Sequence, residues 1–511
     1  MKLRIPKLDK NQQFFLLNLL TGLAAGGVAI ILHQSIHSLM AFFGTDVGFT
    51  LKSYLLGGVS LFIGSFISTK IMPTCSGSGI PRTKILLSVH HGIIRTKEWL
   101  TKIVTSIFSL ASGVPLGSEG PTIAIAAGVG SSLGRYFKLS ERKVKSLVYA
   151  GCSAGIAAAF NTPIAAVIFT MEEIIGNSSA KSMGPILISS LVASVTAAAL
   201  IGQNSVFSPV HYAFNDPKEL LFYLGLGIMA GLAGPLFISN IIGIKKLTKK
   251  YFKHHKLTLA MSSFLLVGLL SQIVPEVTGN GLDMINNLLH GRITSYETIA
   301  MLLVFKFIAC AFCYGAGISG GILMPVLFLG AALGGLFGAI SIQILNLDQV
   351  EIGAYCLVGM GAFFASVIRT PFTSIILVFE MTRDYRIVLP LMLANLVSYF
   401  LAERMSKGTI YERIAIFEGY ELPSHDEEDL LHHMVVEDAY KKKVARLEIT
   451  LPYSQIIYPD QSLSYALIKL RRTKGLDPLI VVDRMDAHNI LGDITMEDIF
   501  KHLQKAEHEV I

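Results

Sequence analysis

One isolated acid, one adjacent pair of acids and three glycine-proline knots are the groups in this chain best placed to do chemistry. Glu119 is the only charged residue between Lys102 and Arg135, in Gly117-Ser118-Glu119-Gly120-Pro121. An ionisable group inside a membrane segment is costly, and so marks a functional site by default. Glu172 and Glu173 are likewise the only charges between Lys145 and Lys181. The other knots are Gly77-Ser78-Gly79-Ile80-Pro81 and Gly320-Gly321-Ile322-Leu323-Met324-Pro325. In each, the proline suits the first turn of a helix. Glycine lets backbone N–H groups approach a ligand closely. Helix N-termini offer free N–H groups and a partial positive charge. Several such ends aimed at one place form an anion site without a full positive charge. That suits transport, because the ion must also leave. No charge lies between Lys306 and Asp348, so the third knot can bind only through backbone and dipoles. A kink or close helix packing accounts for any single knot equally well; three together favour the anion site.

The elements that must hold these groups are membrane helices. Of the 511 residues, 52% are hydrophobic and only 15% charged, against about a quarter charged in soluble chains. Mean hydropathy is +0.57. Uncharged runs at Phe14–Leu32, Leu220–Ile244, Leu257–Pro275 and Ile387–Ala402 approach the length of a bilayer span. Met1–Lys10 is basic, but the apolar run after it is long and lacks a small-residue cleavage site, so no cleavable signal is expected. The net charge of +7 comes from clusters between apolar runs, at Lys2–Lys10, Arg135–Lys145 and Lys245–Lys253. That is positive-inside patterning, which predicts cytoplasmic termini and excludes nucleic-acid binding. Five cysteines lie in or beside apolar segments and read as packing residues. His33, His37, His90, His91, His211 and His290 lack metal spacing, as do His425, His432 and His433. No metal site and no required cofactor are expected.

The membrane part repeats itself. Gly113, Gly117, Pro121 and Gly134 recur 204 residues later as Gly317, Gly321, Pro325 and Gly338. Thr162-Pro163 and Glu172 recur 208 residues later as Thr370-Pro371 and Glu380. Two related halves with interrupted helices predict an all-α transporter-type fold with its site where the halves meet. Glu172 and Glu380 keep the repeat's symmetry and read as a structural, capping pair. Glu173 pairs with Met381 and breaks it, which favours a functional role. The expected organisation is a cytoplasmic segment at 1–11, a transport domain at 12–415, a polar linker at 416–447 and a small α/β cytoplasmic domain at 448–511. In the last, Leu463–Leu470 and Met496–Leu503 read as helices, and Pro478–Asp483 and Ile490–Ile494 as strands. Val435–Ala445 reads as a remnant or entry strand.

These motifs resemble the three signatures of the CLC chloride channels and chloride/proton antiporters, over roughly residues 15–415. The resemblance implies a homodimer in the bilayer, each subunit with its own pore and two inverted halves. It implies that the Ser78 hydroxyl, the Tyr411 phenol and the N–H groups of Ile322 and Leu323 bind the central anion. A helix N-cap is the alternative role for Ser78. Serine at this position points to chloride, since nitrate-preferring members carry proline and fluoride-preferring ones methionine. Glu119 is then the gating glutamate, competing with the anion when charged and swinging away when protonated. Glu173 matches the internal proton-transfer glutamate of the antiporters, which the family's channels typically replace. Ser118, Arg82 and Leu323 depart from the family's usual base, acid and phenylalanine. The implied function is exchange of chloride for protons, with passive chloride conduction as the alternative.

Tyr458–Leu503 resembles one CBS motif. Thr495 and Asp498 match its ribose-contacting pair, which implies a candidate adenine-nucleotide site; a ligand-free cap on the dimer is equally consistent. A nucleotide-sensing membrane scaffold is a further alternative, and would leave the three knots unexplained. A membrane enzyme would need a nucleophile–base or metal constellation that the sequence does not offer. Short loops and a single CBS-like motif point to a bacterial inner membrane.

Overall fold

Glycine and proline set where the membrane helices break. A computed structural model of the chain describes residues 9–45, 49–176, 180–202, 207, 219–252, 255–345, 351–420, 434–446, 455–472, 478–483 and 489–510. Two compact units emerge, Met1–Tyr420 and Glu421–Ile511.

The first half of the membrane unit comprises α1 (Lys10–Phe43), α2 (Leu51–Phe66), α3 (Ile80–Val89), α4 (Thr96–Ala111), α5 (Glu119–Tyr136), α6 (Glu141–Phe160), α7 (Pro163–Phe169) and α8 (Ala180–Ile201). The second comprises α9 (Glu219–Tyr251), α10 (Lys256–Ser271), α11 (Leu282–Leu289), α12 (Tyr296–Gly315), α13 (Leu323–Leu345), α14 (Ile352–Ile368), α15 (Pro371–Thr382) and α16 (Val388–Met405). Helix α17 (Ile410–Phe417) follows. The two series correspond one to one, long with long and short with short. Among the described residues, seven helices are long and apolar enough to cross a membrane. Their outer faces carry exposed Leu51, Leu55, Val59, Val195 and Leu236, as a lipid-facing surface requires.

The halves are related by a two-fold axis. Gly117 and Gly321, repeat mates, form an antiparallel bridge, with N–H to O distances of 2.8 and 2.6 Å. Equivalent residues paired antiparallel are what a two-fold axis between them produces. The symmetric glutamates show the same reciprocity. Glu172 accepts from the N–H groups of Phe372 and Thr373 at the start of α15, at 3.2 and 2.8 Å. Glu380 accepts from Ile164 and Ala165 at the start of α7, at 3.1 and 2.7 Å. Each carboxylate satisfies otherwise unpaired N–H groups of the other half, so the capping reading of this pair holds.

Two buried lysines brace the loops before the short helices. The Lys102 ammonium bonds the carbonyls of Cys75 (2.8 Å) and Gly77 (2.5 Å) and the Ser319 hydroxyl (3.0 Å). Its repeat mate Lys306 bonds the carbonyls of Val277, Thr278 and Gly279 at 2.9, 3.2 and 2.8 Å. All three N–H donors of each ammonium are used, as burial of a charge demands. The carbonyls so held lie at the entry to matching turns, Gly77-Ser78-Gly79 and Gly279-Asn280-Gly281, whose glycines have φ between +61° and +89°. Only glycine adopts those angles without strain.

In the second unit a four-stranded sheet of order β1-β4-β3-β2 packs against helices. Its elements are α18 (Val436–Ala439), β1 (Lys441–Arg446), β2 (Ile456–Ile457), α19 (Leu463–Arg472), β3 (Leu479–Val482), β4 (Asn489–Ile494) and α20 (Met496–Val510). The expected helices and strands are present. Lys441–Arg446, inside the stretch assigned to the polar linker, is an edge strand paired with β4. Its lysines suit an edge, where charge blocks further pairing. The histidines His211, His425, His432 and His433 lie outside the described residues. The five cysteines are buried and free.

Replacing Lys306 by methionine strands three buried carbonyls. It should lower stability by roughly 3 kcal/mol, visible as a fall in thermal unfolding temperature in detergent. An unchanged unfolding temperature would show that the brace contributes nothing.

Candidate functional site

The three knots meet at the two-fold axis. Glu119 opens α5 and Leu323 opens α13, so two helix N-termini face each other across the Gly117–Gly321 bridge. A Cβ on Gly120 would lie 2.8 Å from Ser78 Cβ and 3.1 Å from Gly321 Cα. Glycine at 120 and 321 is therefore what lets the knots touch. Ile322 and Leu323 are buried at the same place, at 0% and 1% exposure.

Glu119 lies across both helix ends. Its carboxylate faces the N–H groups of Ser118, Glu119 and Met324 and the Ser118 hydroxyl. It is 4% exposed, and Oε2 has no hydrogen-bond partner among the described residues. The side chain folds back over Gly117, where a Cβ would stand 2.0 Å from Oε2. An anion at this spot meets the same donors.

Ser78 is buried, and its Oγ accepts from the Ile80 N–H at 3.2 Å. The N-cap residue of α3 is Gly79, which has no side-chain cap, so Ser78 meets the first helical N–H from one position further out. The Tyr314 phenol also bonds Ser78. Tyr411 is fully buried, its hydroxyl is unpaired among the described residues, and Tyr314, Glu173 and Glu119 act on it electrostatically. Ser78 and Tyr411 therefore share Tyr314 as a neighbour.

Cavities open on both sides. One, of about 580 Å³, has Gly77, Ser78 and Tyr314 on its floor and Arg82, Lys245, Lys249 and Lys256 among its walls. Arg82 is paired with Glu98 at 3.0 Å, which offsets its charge. The other, of about 200 Å³, reaches Ser118 and is lined by Asn280, His33, His37, Glu276 and Asp283. His33 and His37 are thus cavity residues; among the described residues no metal-binding cluster forms.

Glu173 sits on the Tyr411 side. Residues Thr170–Ile175 continue α7 as a π-helical turn, whereas α15 stays regular. Such turns recur at functional sites. Here the turn leaves Glu172 capping α15 and buries Glu173, at 1% exposure. Glu173 Oε1 meets the Lys84 ammonium at 2.7 Å and the Thr409 hydroxyl at 3.5 Å, and Oε2 is unpaired among the described residues.

Sequence reasoning missed Tyr314, Lys84 and the Gly279-Asn280-Gly281 turn. The turn had a findable signal: Pro73, Gly77 and Gly79 recur at an offset of 202 as Pro275, Gly279 and Gly281. Tyr314 and Lys84 carried none, since their partners come from distant segments.

The family profile described as voltage gated chloride channel matches residues 57–403. A H(+)/Cl(-) exchange transporter ClcA of Vibrio campbellii is 32% identical over 73% of this chain and 80% of its own length. A ClcB-like chloride channel protein of Ralstonia nicotianae is 37% identical over 64% of this chain and 77% of its own. This chain belongs to the CLC family. The CLC fold is matched in structure as well. A slow cyanobacterial Cl-/H+ antiporter covers 79% of this chain and 97% of itself at TM-score 0.72 and 24% identity. A eukaryotic CLC transporter covers 95% of this chain and 98% of itself at TM-score 0.74 and 18% identity.

In the C-terminal unit Thr495 and Asp498 form a capping box. Asp498 Oδ2 accepts from the Thr495 N–H (3.1 Å) and hydroxyl (2.6 Å), and the Asp498 N–H donates to Thr495 Oγ1 (3.3 Å). Asp498 Oδ1 pairs with Lys441 at 2.7 Å. Burial opposes the Asp498 charge, but Lys441 and Thr495 outweigh it and hold the carboxyl below its ordinary value.

Gly117→Ala should push the Glu119 carboxylate out of its resting place, because the side-chain end is the part free to yield. Chloride flux in liposomes should then lose much of its pH dependence. A wild-type pH profile for Gly117→Ala would show that the observed Glu119 position does not gate.

Proposed function

We propose that this CLC protein exchanges chloride for protons across a membrane. The observation that carries the reading is Glu119, a carboxylate lying where two helix N-termini would hold an anion. Chloride and the Glu119 carboxylate compete for those N–H groups. Protonation removes the charge, releases the side chain and opens the site. Ser78, Ile322, Leu323 and Tyr411 are the anion-binding set in this reading. Glu173, buried beside Tyr411, passes protons to and from the basic side. The exchange-transporter name of the Vibrio relative supports antiport. The channel name of the Ralstonia relative favours the second reading, passive conduction. Glu173 argues for exchange, because a bare anion pathway needs no second buried acid.

The positive-inside pattern supports a cytoplasmic location for the lysine-walled cavity and for both termini, and the bacterial relatives support an inner membrane. A homodimer would bury part of the exposed apolar surface, which includes Ile164, Leu187, Leu191, Phe372 and Leu389. The C-terminal unit, residues 421–511, extends the transport domain as a CBS-like module. An adenine nucleotide there would have to displace Lys441 from Asp498 or recruit it to phosphate. A rise in unfolding temperature with ATP or AMP would support that site, and no rise would leave a ligand-free cap.

In proteoliposomes an imposed chloride gradient should drive protons uphill. Glu119→Gln should abolish proton movement. Glu173→Gln should abolish it while leaving chloride flux. Chloride movement by the wild-type protein with no proton flux would establish the channel reading instead.

A further inference from the structure

We propose that Lys84 couples the charge on Glu173 to the helix turn that carries Tyr411. The inference rests on the reading of Glu173 as the internal proton acceptor. Lys84 is buried at 8% exposure on α3. Its ammonium stands 2.7 Å from Glu173 Oε1 and 3.5 Å from Glu412 Oε1. Glu412 is no ordinary surface acid. Its Oε2 accepts from the Thr409 N–H at 3.0 Å, and its own N–H donates to Thr409 Oγ1 at 3.2 Å, closing a capping box on α17. Tyr411 lies between those two residues. Thr409 Oγ1 also lies 3.5 Å from Glu173 Oε1. One ammonium and one hydroxyl therefore tie Glu173 to the first turn of α17.

One buried cation serves two carboxylates. With both ionised the cluster carries a net charge of −1. When Glu173 takes a proton from cytoplasmic water, the charge becomes zero and Lys84 is left to Glu412 alone. Glu412 Oε2 caps the turn while Oε1 faces Lys84, so a stronger pull from Lys84 changes the restraint on the turn. The Tyr411 hydroxyl is buried and unpaired among the described residues, so this turn is where a small displacement alters the anion path. Besides these groups, Glu172 acts electrostatically on Glu173, Arg369 acts on Glu412, and Glu173, Glu119 and Tyr314 act on the Tyr411 phenol. Arg82 on the same helix is paired with Glu98. Lys84 is a positioning residue here: it touches neither the anion site nor the incoming proton's donor.

The test compares Lys84→Met, Lys84→Arg, Glu412→Gln and Glu173→Gln in proteoliposomes, reading protons moved per chloride and the pH profile of proton flux. Lys84→Met leaves Glu173 facing only negative charge and should move the profile toward higher pH by about one unit. Glu412→Gln keeps the cap, which glutamine supports, but leaves Lys84 wholly to Glu173; the profile should move toward lower pH. Both should lower the proton-to-chloride ratio, and Lys84→Arg should restore it. A merely structural Lys84 would instead reduce both fluxes in proportion and leave the profile in place. That result, or a wild-type ratio in both variants, overturns the inference. If Lys84→Met does not fold, the direction of the Glu412→Gln shift decides. If Glu173→Gln still pumps protons, the reading of Glu173 itself fails, whatever Lys84 does.

Discussion

Two helix N-termini meet head to head at a two-fold axis, and this meeting of like partial charges governs the rest of the structure. Each end carries about half a positive charge on unpaired N–H groups. Brought together away from water, the ends require something negative between them. Glycine at 117, 120 and 321 permits the approach, since each would otherwise place a Cβ in contact distance of another knot or of Glu119. Lys102 and Lys306 hold the neighbouring loops by their carbonyls, so the backbone cannot relax away. Glu119 supplies the negative charge in this state, on a tether short enough to stay and flexible enough to leave. A transported anion can do the same, and the competition between the two is the proposed mechanism of the site.

The two-fold axis explains the constants of the fold, and the departures from it explain the direction of function. Glu172 and Glu380 exchange caps, Lys102 and Lys306 each brace the matching loop of its own half, and the turns before α3 and α11 match. The site residues do not obey the symmetry. In the repeat Ser78 corresponds to Asn280, Glu119 to Leu323, and Glu173 to Met381. A π-helical turn in one half alone lets adjacent glutamates take different duties. Symmetric residues build the frame, and in the proposed exchange the asymmetric ones separate the proton side from the anion side.

Much of this was legible in the chain itself. Glycine and proline mark helix starts by backbone geometry, so the knots could be read locally. A charge isolated in an apolar run is conspicuous, which identified Glu119 and Glu173. The repeat in Thr-Pro and Glu gave the reciprocal caps. What stayed hidden depended on contacts between distant segments. Lys84 meets Glu173 across 89 residues and Glu412 across 328, and no local pattern encodes that. The Gly279-Asn280-Gly281 turn was masked because its offset is 202 where the other knots keep 204, and because asparagine replaces serine. The entry strand expected within Val435–Ala445 is present as β1, but displaced to Lys441–Arg446, because a lysine-rich edge strand shades into the solvated linker before it. The T-x-x-D pair was visible as a motif, but its engagement by Lys441 could be seen only in three dimensions.

The central claim is that chloride and the Glu119 carboxylate occupy one place in turn. Binding of chloride must then be linked to uptake of protons, because the displaced carboxylate leaves its helix ends. Calorimetric titration of chloride into the purified protein, repeated in buffers of different ionisation enthalpy, measures that uptake directly. The account predicts net proton uptake on chloride binding near neutral pH, and none in Glu119→Gln. Chloride binding by the wild-type protein with no linked proton would contradict it.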